Sequence, residues 1–315
     1  MMHLIKLMVG IVTIGYLFYT GGIDFQILYQ VVRDNYLVLI AALITFLLVT
    51  SLGGLRWFLL MQAVDVPISL RQSFKIHMIG MFFMFYVPGG GTGSDIIKAY
   101  YIHKESGDSS ILALMSIFID RVIGIYSLLV VGVVSIFINY NVTIEDPTIR
   151  WNSWFYIIIF AFSSAVIGFF FTRGANNLFN ARWVNKLPFN NFIYSFWGAI
   201  EIYRKKLIPL FLSFLLSIIL HFMMIVVFYF SALALNLDIP FSLHVYLVPL
   251  LLLINLIPIA PGGLGVGEVA SLALYNMAGF EGGGEIFLLF HAYLFINSAL
   301  GVPFYLRYKN KAIIN

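Results

Sequence analysis

Val87-Pro88-Gly89-Gly90-Gly91-Thr92-Gly93-Ser94-Asp95 and Ala260-Pro261-Gly262-Gly263-Leu264-Gly265-Val266-Gly267-Glu268 align without a gap: each reads Pro-Gly-Gly, four residues, then a carboxylate. Pro261 follows Pro88, and Glu268 follows Asp95, by the same 173 residues. Each copy interrupts an apolar segment, at 72–87 and 241–259, that continues as a second, shorter helical stretch. Long apolar runs at 4–20, 36–60, 109–139, 153–172, 206–235 and 285–306 each suit a crossing of about 20 residues. The chain is therefore expected to be an all-α, polytopic membrane protein, a single membrane domain over 1–315. It should have about six full transmembrane helices and two broken or re-entrant hairpins. The repeat halves, 36–139 and 206–307, each run span, broken hairpin, span.

Composition agrees. Of 315 residues, 61% are hydrophobic and only 10% are charged, against roughly 25% charged in soluble domains. Such a chain cannot clothe itself for water. Eighteen Lys and Arg against 14 Asp and Glu are too scattered for a nucleic-acid surface, so no nucleic-acid partner is expected. With no cysteine there can be no disulfide, thiolate metal site or thiol nucleophile. Residues 4–20 lack a small-residue cleavage pattern and are expected to be a retained first span.

Charge orients the spans. The connector 173–205 and Lys206 hold Arg173, Arg182, Lys186, Arg204 and Lys205 against a single acid, Glu201. By the positive-inside rule it is cytoplasmic, as are Lys6, Arg71, Lys75, Lys98, Lys104, Arg307, Lys309 and Lys311. Asp24, Asp34, Glu145, Asp146, Asp238, Glu281 and Glu285, opposed by Arg33 and Arg150, fit the outer face. Both termini are then expected on the cytoplasmic side of a cell membrane, provided each broken segment returns to the side it entered. The first hairpin would start inside and the second outside, giving an inverted-topology repeat, the arrangement of transporters whose discontinuous helices meet near the midplane.

Chemistry is expected at the breaks. Proline removes a backbone donor and glycine permits positive φ, so Pro88, Gly89, Gly90, Pro261, Gly262, Gly263 and Gly265 should end one half-helix before the next begins. Helices starting near Ser94 and Gly267 would offer free N–H groups to a phosphate; two tight turns are the plainer reading. Asp95 and Glu268 sit where an acid caps a helix, or where a carboxylate at membrane depth gates or couples to protons. Asp120 and Arg121 lie about 17 Å along their span at 1.5 Å per residue. Adjacent residues do not face one another, so Arg121 needs a phosphate or Asp95, and Asp120 needs Arg56 or Lys98. Arg56-Trp57 closes the second span, where Arg snorkels and Trp anchors at interfaces. His77, His221 and His291 lack metal-ligand spacing and read as packed, satisfied residues. No nucleotide-binding loop, catalytic triad or metal pattern is present; neither enzyme activity, metal nor cofactor is expected.

Leu55-Arg56-Trp57, Val87-Pro88-Gly89-Gly90 through Asp95-Ile96-Ile97-Lys98-Ala99, Asp120-Arg121-Val122-Ile123-Gly124 and Pro261 through Glu268 together resemble the flippase-like membrane family related to the lysylphosphatidylglycerol synthase transmembrane region. The resemblance runs from about Tyr36 to Tyr308. It implies lipid translocation, as in the N-terminal part of the multiple peptide resistance factor, which exposes aminoacylated phospholipid on the outer leaflet. It fixes no substrate, so a phosphate-bearing lipid or lipid-linked molecule is the expected cargo, held by Arg121, Arg56, Lys98 and Asp120. Asn315 ends the chain without an aminoacyl-transfer domain, so any modified lipid is expected to come from separate lipid- or glycan-synthesis enzymes. A homo-oligomer is open. An ion-coupled transporter of a small solute, or an accessory subunit or membrane transferase using Asp95 and Glu268 as acid and base, are the alternatives.

Overall fold

The computed structural model describes residues 12, 14–20, 25–85, 91–106, 110–138, 147–179, 184–187, 190–257 and 260–314. Among these there is helix and no strand. The helices are α1 (Phe25–Asp34), α2 (Tyr36–Ala63), α3 (Leu70–Phe83), α4 (Gly91–Ser106), α5 (Ser110–Ile138), α6 (Pro147–Phe170), α7 (Arg173–Phe179), α8 (Asn190–Lys205), α9 (Leu207–Ala234), α10 (Phe241–Asn255), α11 (Val266–Met277), α12 (Gly283–Leu300) and α13 (Val302–Ile314).

Five described helical stretches are long and apolar enough to cross a membrane: Tyr36–Ala63, Ile111–Ile138, Ser153–Phe170, Leu207–Ala234 and Gly283–Tyr308, the last formed by α12 running on into α13. They coincide with five of the six expected crossings. The other, 4–20, begins outside the described residues, and its end, 14–19, is helical. Both broken segments are helical hairpins, α3–α4 and α10–α11, each with its two arms packed together.

The two halves share local and tertiary detail. The helices α9, α10, α11 and α12 begin 171, 171, 175 and 173 residues after α2, α3, α4 and α5. Each opening helix ends the same way. Asp65 and Asn236 take positive φ, both 56°, and the amides behind them reach back, Val66 to the Met61 carbonyl at 3.1 Å and Leu237 to the Ala232 carbonyl at 3.0 Å. This is the Schellman ending, and Asp and Asn are the side-chain-bearing residues that best tolerate the left-handed turn.

Contacts are duplicated too. Within each half the first arm packs on the opening helix and the second arm on the closing helix. Between halves, α3 packs on α12 and α10 on α5, while α2 and α9 pack on one another. Every one of these pairs has its counterpart when α2–α5 and α9–α12 are exchanged. Ser213 and Ser217 are buried on α9, Ser217 against Arg56 of α2, and Gly54 of α2 faces Phe74 and His77 of α3; small residues let membrane helices approach. Ile208, Leu212, Leu215, Ile219 and Phe222 stay exposed on the opposite stripe of α9, as a lipid-facing surface requires.

The connector contains a helix of its own. In α8, Trp197 stacks on Phe179 at 4.7 Å between centroids, and the Tyr203 hydroxyl donates to the Leu60 carbonyl at 2.9 Å. The basic segment is thereby fastened to the end of α2. Burial pushes the Tyr203 hydroxyl well above the ordinary phenol range, so it remains a donor.

Candidate functional site

The first cluster forms where α2, α4, α5 and α9 converge. Arg56 on α2 donates from Nε to Asp120 Oδ1 at 2.7 Å and from Nη2 to Oδ2 at 2.9 Å, while Nη1 donates to Ser217 on α9. Gly124, one turn beyond Asp120, faces this guanidinium, where a Cβ would lie in ordinary contact 3.5 Å from Arg56 Nη1. All three donor nitrogens of Arg56 are thus engaged by protein.

Arg121, the next residue after Asp120, turns to the other side of α5. Its Nε and Nη2 donate to Asp95 on α4 at 2.6 and 2.7 Å. Of the two partners considered for Arg121, Asp95 is therefore in place, and among the described residues Nη1 has none. Its side chain is 40% exposed, whereas Lys98 is 7% exposed. Lys98 Nζ stands 3.6 Å from Asp95 Oδ1 and 5.7 Å from the Trp57 ring centroid. Its stem lies on Gly80 of α3, where a Cβ would fall 2.8 Å from two Lys98 carbons. Three cations, Arg56, Lys98 and Arg121, meet two carboxylates, Asp95 and Asp120, leaving one formal positive charge.

Three expectations change. Arg56 and Trp57 are not at a span end: α2 continues to Ala63, and Trp57 is buried with Nε1 donating to Ser116 at 3.0 Å. The polar partners inside outcompete the interface. Asp95 is not a cap, because α4 begins at Gly91 rather than near Ser94, which carries the carboxylate a full turn into the helix and toward Arg121. His77 is only half satisfied: it bonds the Thr50 backbone, but its Nδ1 is buried without a partner.

The second cluster is at the other break. Pro261–Gly263 form a single 3-10 turn, and Gly262, Gly263 and Gly265 have φ of 65°, 84° and 80°, which only glycine adopts freely. Glu268, at the third position of α11, accepts from the Gly265 amide at 2.8 Å through Oε2, so here the capping expectation holds. Its Oε1 faces His291 Nδ1 on α12 at 2.6 Å, and His291 Nε2 faces the Gly262 carbonyl at 3.0 Å. His291 therefore closes the turn from outside, a role not anticipated for it. A signal existed: 173 residues before His291 is Phe118, one turn from Arg121. His221 is packed as expected, on the Gly124 carbonyl at 2.9 Å and Ser127 at 3.1 Å.

The clusters are parallel in plan. In each half the carboxylate on the second hairpin arm is held by a nitrogen base on the closing helix, Asp95 by Arg121 and Glu268 by His291. Phe85, just beyond α3, lies against Gly262, its ring 2.8 Å from where a Cβ would stand. Pro88, Gly89 and Gly90 lie outside the described residues. Among the described residues no group of His, Asp and Glu could hold a metal ion.

Sequence comparison places this architecture. A UPF0104 membrane protein of Methanocaldococcus jannaschii is 23% identical over 195 residues, covering 62% of this chain and 80% of its own. A second UPF0104 membrane protein, from Methanothermobacter thermautotrophicus, is 23% identical over 265 residues, 78% of this chain and 77% of its own. No solved structure matches. The family described as the lysylphosphatidylglycerol synthase TM region matches residues 4–301, nearly the whole chain, and this multi-pass membrane protein belongs to it.

Proposed function

We propose that the protein is a lipid translocase, moving a phosphate-bearing lipid or lipid-linked molecule between leaflets of the cell membrane by alternating access. The observation that carries this reading is Arg121: a guanidinium about 17 Å into α5 at 1.5 Å per residue, held on one edge by Asp95 and open on the other. A fixed cation at such depth is expensive and is retained for function, and an open guanidinium edge matches a phosphate. The surplus positive charge around it favours an anion.

On this reading the duplicated contacts belong to an inverted-topology repeat, with both termini cytoplasmic. The Arg121 cluster then opens toward the inner leaflet and the His291 cluster lies in the outer half. Lipid- or glycan-synthesis enzymes would supply the cargo, and the chain itself makes or breaks no bond. Membrane lipid is the partner.

The test is leaflet exchange of fluorescent anionic phospholipid and polyprenyl phosphate in vesicles carrying the purified protein. Wild type should exchange lipid and Arg121→Glu should not, with both inserted equally. Equal exchange by the two proteins would overturn the assignment. A proton-driven transporter of a small anion is the second reading, favoured by the buried His291–Glu268 pair; uptake of a water-soluble anion without lipid exchange would select it.

A further inference from the structure

We infer that Glu268 and His291 form a one-proton binding site that fastens the turn of the second hairpin. The count follows from the partners. A carbonyl oxygen only accepts, so His291 Nε2, 3.0 Å from the Gly262 oxygen, carries a hydrogen. Glu268 Oε2 accepts from the Gly265 amide and carries none. Between Nδ1 and Oε1, 2.6 Å apart, two bare lone pairs would repel, so one proton lies between them. Whether it sits on the ring or on the acid, the pair is neutral overall, which suits its near-complete burial.

The two side chains together hold both ends of one turn. His291 holds the Gly262 carbonyl, Glu268 holds the Gly265 amide, and the shared proton holds them to each other. Removing it leaves a bare negative charge in a dry site and drives Nδ1 from Oε1. Adding another requires Oε2, which would release the Gly265 amide. The fastened turn therefore contains one shared proton and tolerates neither none nor two.

Among the described residues no other charged group is paired with His291 or Glu268 in a salt bridge. The rings of Phe287 and Phe290 lie 5.1 and 5.6 Å from the imidazole, and among the described residues Glu268 is the ion-pair partner of His291. Titratable groups on the packed helices face elsewhere: Arg56 of α2 bonds Asp120, His77 of α3 bonds the Thr50 backbone, and His221 of α9 bonds the Gly124 carbonyl. Tyr275 of α11 faces His244, Tyr308 of α13 donates to Glu105, and on α12 itself Tyr293 meets Ser231 while Glu285 lies six residues before His291.

The direction of the pH effect follows. In an opened, wetted turn in alkaline solution the ring is neutral and the acid ionised. The fastened turn then holds one proton more than the open one. Opening releases that proton and becomes easier as the pH rises, by up to about tenfold per unit. Coupling of that proton to cargo movement rests on the translocase reading, but the site itself does not.

Amide hydrogen exchange of the full chain in phosphatidylglycerol nanodiscs, from pH 6 to 9, tests this. Once intrinsic exchange is divided out, protection of 260–268 should fall as the pH rises in the wild type, by up to about tenfold per unit. In Glu268→Gln the amide still accepts from Gly265 and donates to Nδ1 without a shared proton, so its profile should be flat over that range. A flat wild type, or equal slopes in the two proteins, overturns the inference; if the variant fails to insert, the wild-type slope alone decides. A pH-sensitive turn in a protein that moves no lipid overturns only the translocase reading. Lipid exchange with a pH-blind turn overturns only the proton site.

Discussion

Arg56 and Asp120, 64 positions apart in the chain, face each other edge to edge, with bonds of 2.7 and 2.9 Å and Ser217 on the remaining nitrogen. Each donor nitrogen of Arg56 already has a protein partner, so the pair's first contribution is to join α2, α5 and α9. Breaking a buried pair from one side strands a charge and costs about 3–5 kcal/mol. Asp120→Ala should lose stability on that scale in mixed-micelle unfolding, and Arg56→Met with Asp120→Leu should regain most of it. A double variant as unstable as the single would show that attraction between the charges, rather than an orphaned charge, sets the loss.

Asp95 offsets the charge of Arg121, whose opposite edge is the one a phosphate would take. Asp95→Asn should therefore strengthen binding of anionic lipid by about tenfold, the equivalent of about 1.4 kcal/mol, while slowing release and lowering turnover. Equilibrium binding of a fluorescent anionic lipid, set beside leaflet exchange, separates the two effects. Weaker binding in the variant would mean that Asp95 positions Arg121 rather than competing for it.

Gly80 is the bed on which Lys98 lies. Gly80→Ala should push the lysine stem aside and lower lipid exchange as much as Lys98→Ala does. Combining the two should add little, because both act through one side chain. Additive losses in exchange assays would place the role of Gly80 elsewhere.

Gly283 meets backbone instead: a Cβ there would lie 2.5 Å from the Ser271 carbonyl oxygen, and no rotamer can relieve that. Gly283→Ala should cost about 1–3 kcal/mol as overpacking, read as lowered thermal stability in detergent. Gly198 in α8 has nothing within 4 Å; Gly198→Ala should instead gain up to about 1 kcal/mol from helix propensity.

The crossings were legible because hydropathy over about 20 residues is a local property. The breaks were legible because Pro261 through Gly265 announce positive φ in their own letters. The partners of Asp120 and Arg121 were legible only as alternatives, since a sequence states that a buried charge needs a partner without stating which. His291 was missed for the same reason: its role depends on α11 and α12 bringing two residues 23 positions apart into contact. Helix α8 was hidden inside a segment whose charge had been read for orientation alone, its apolar face meeting Ala175 and Phe179 only in the packed chain.

The interlocking of α3 with α12 has a consequence for biosynthesis. The ribosome finishes α3 at Phe83 and reaches the start of α12 at Gly283, 200 residues later, roughly 10 to 40 seconds at about 5–20 residues per second. Through that interval the first hairpin waits beside the insertion machinery without the helix that completes its packing. Neither half can mature alone. A chain released before α12 would hold charged, half-packed helices in lipid, a natural target for membrane quality control.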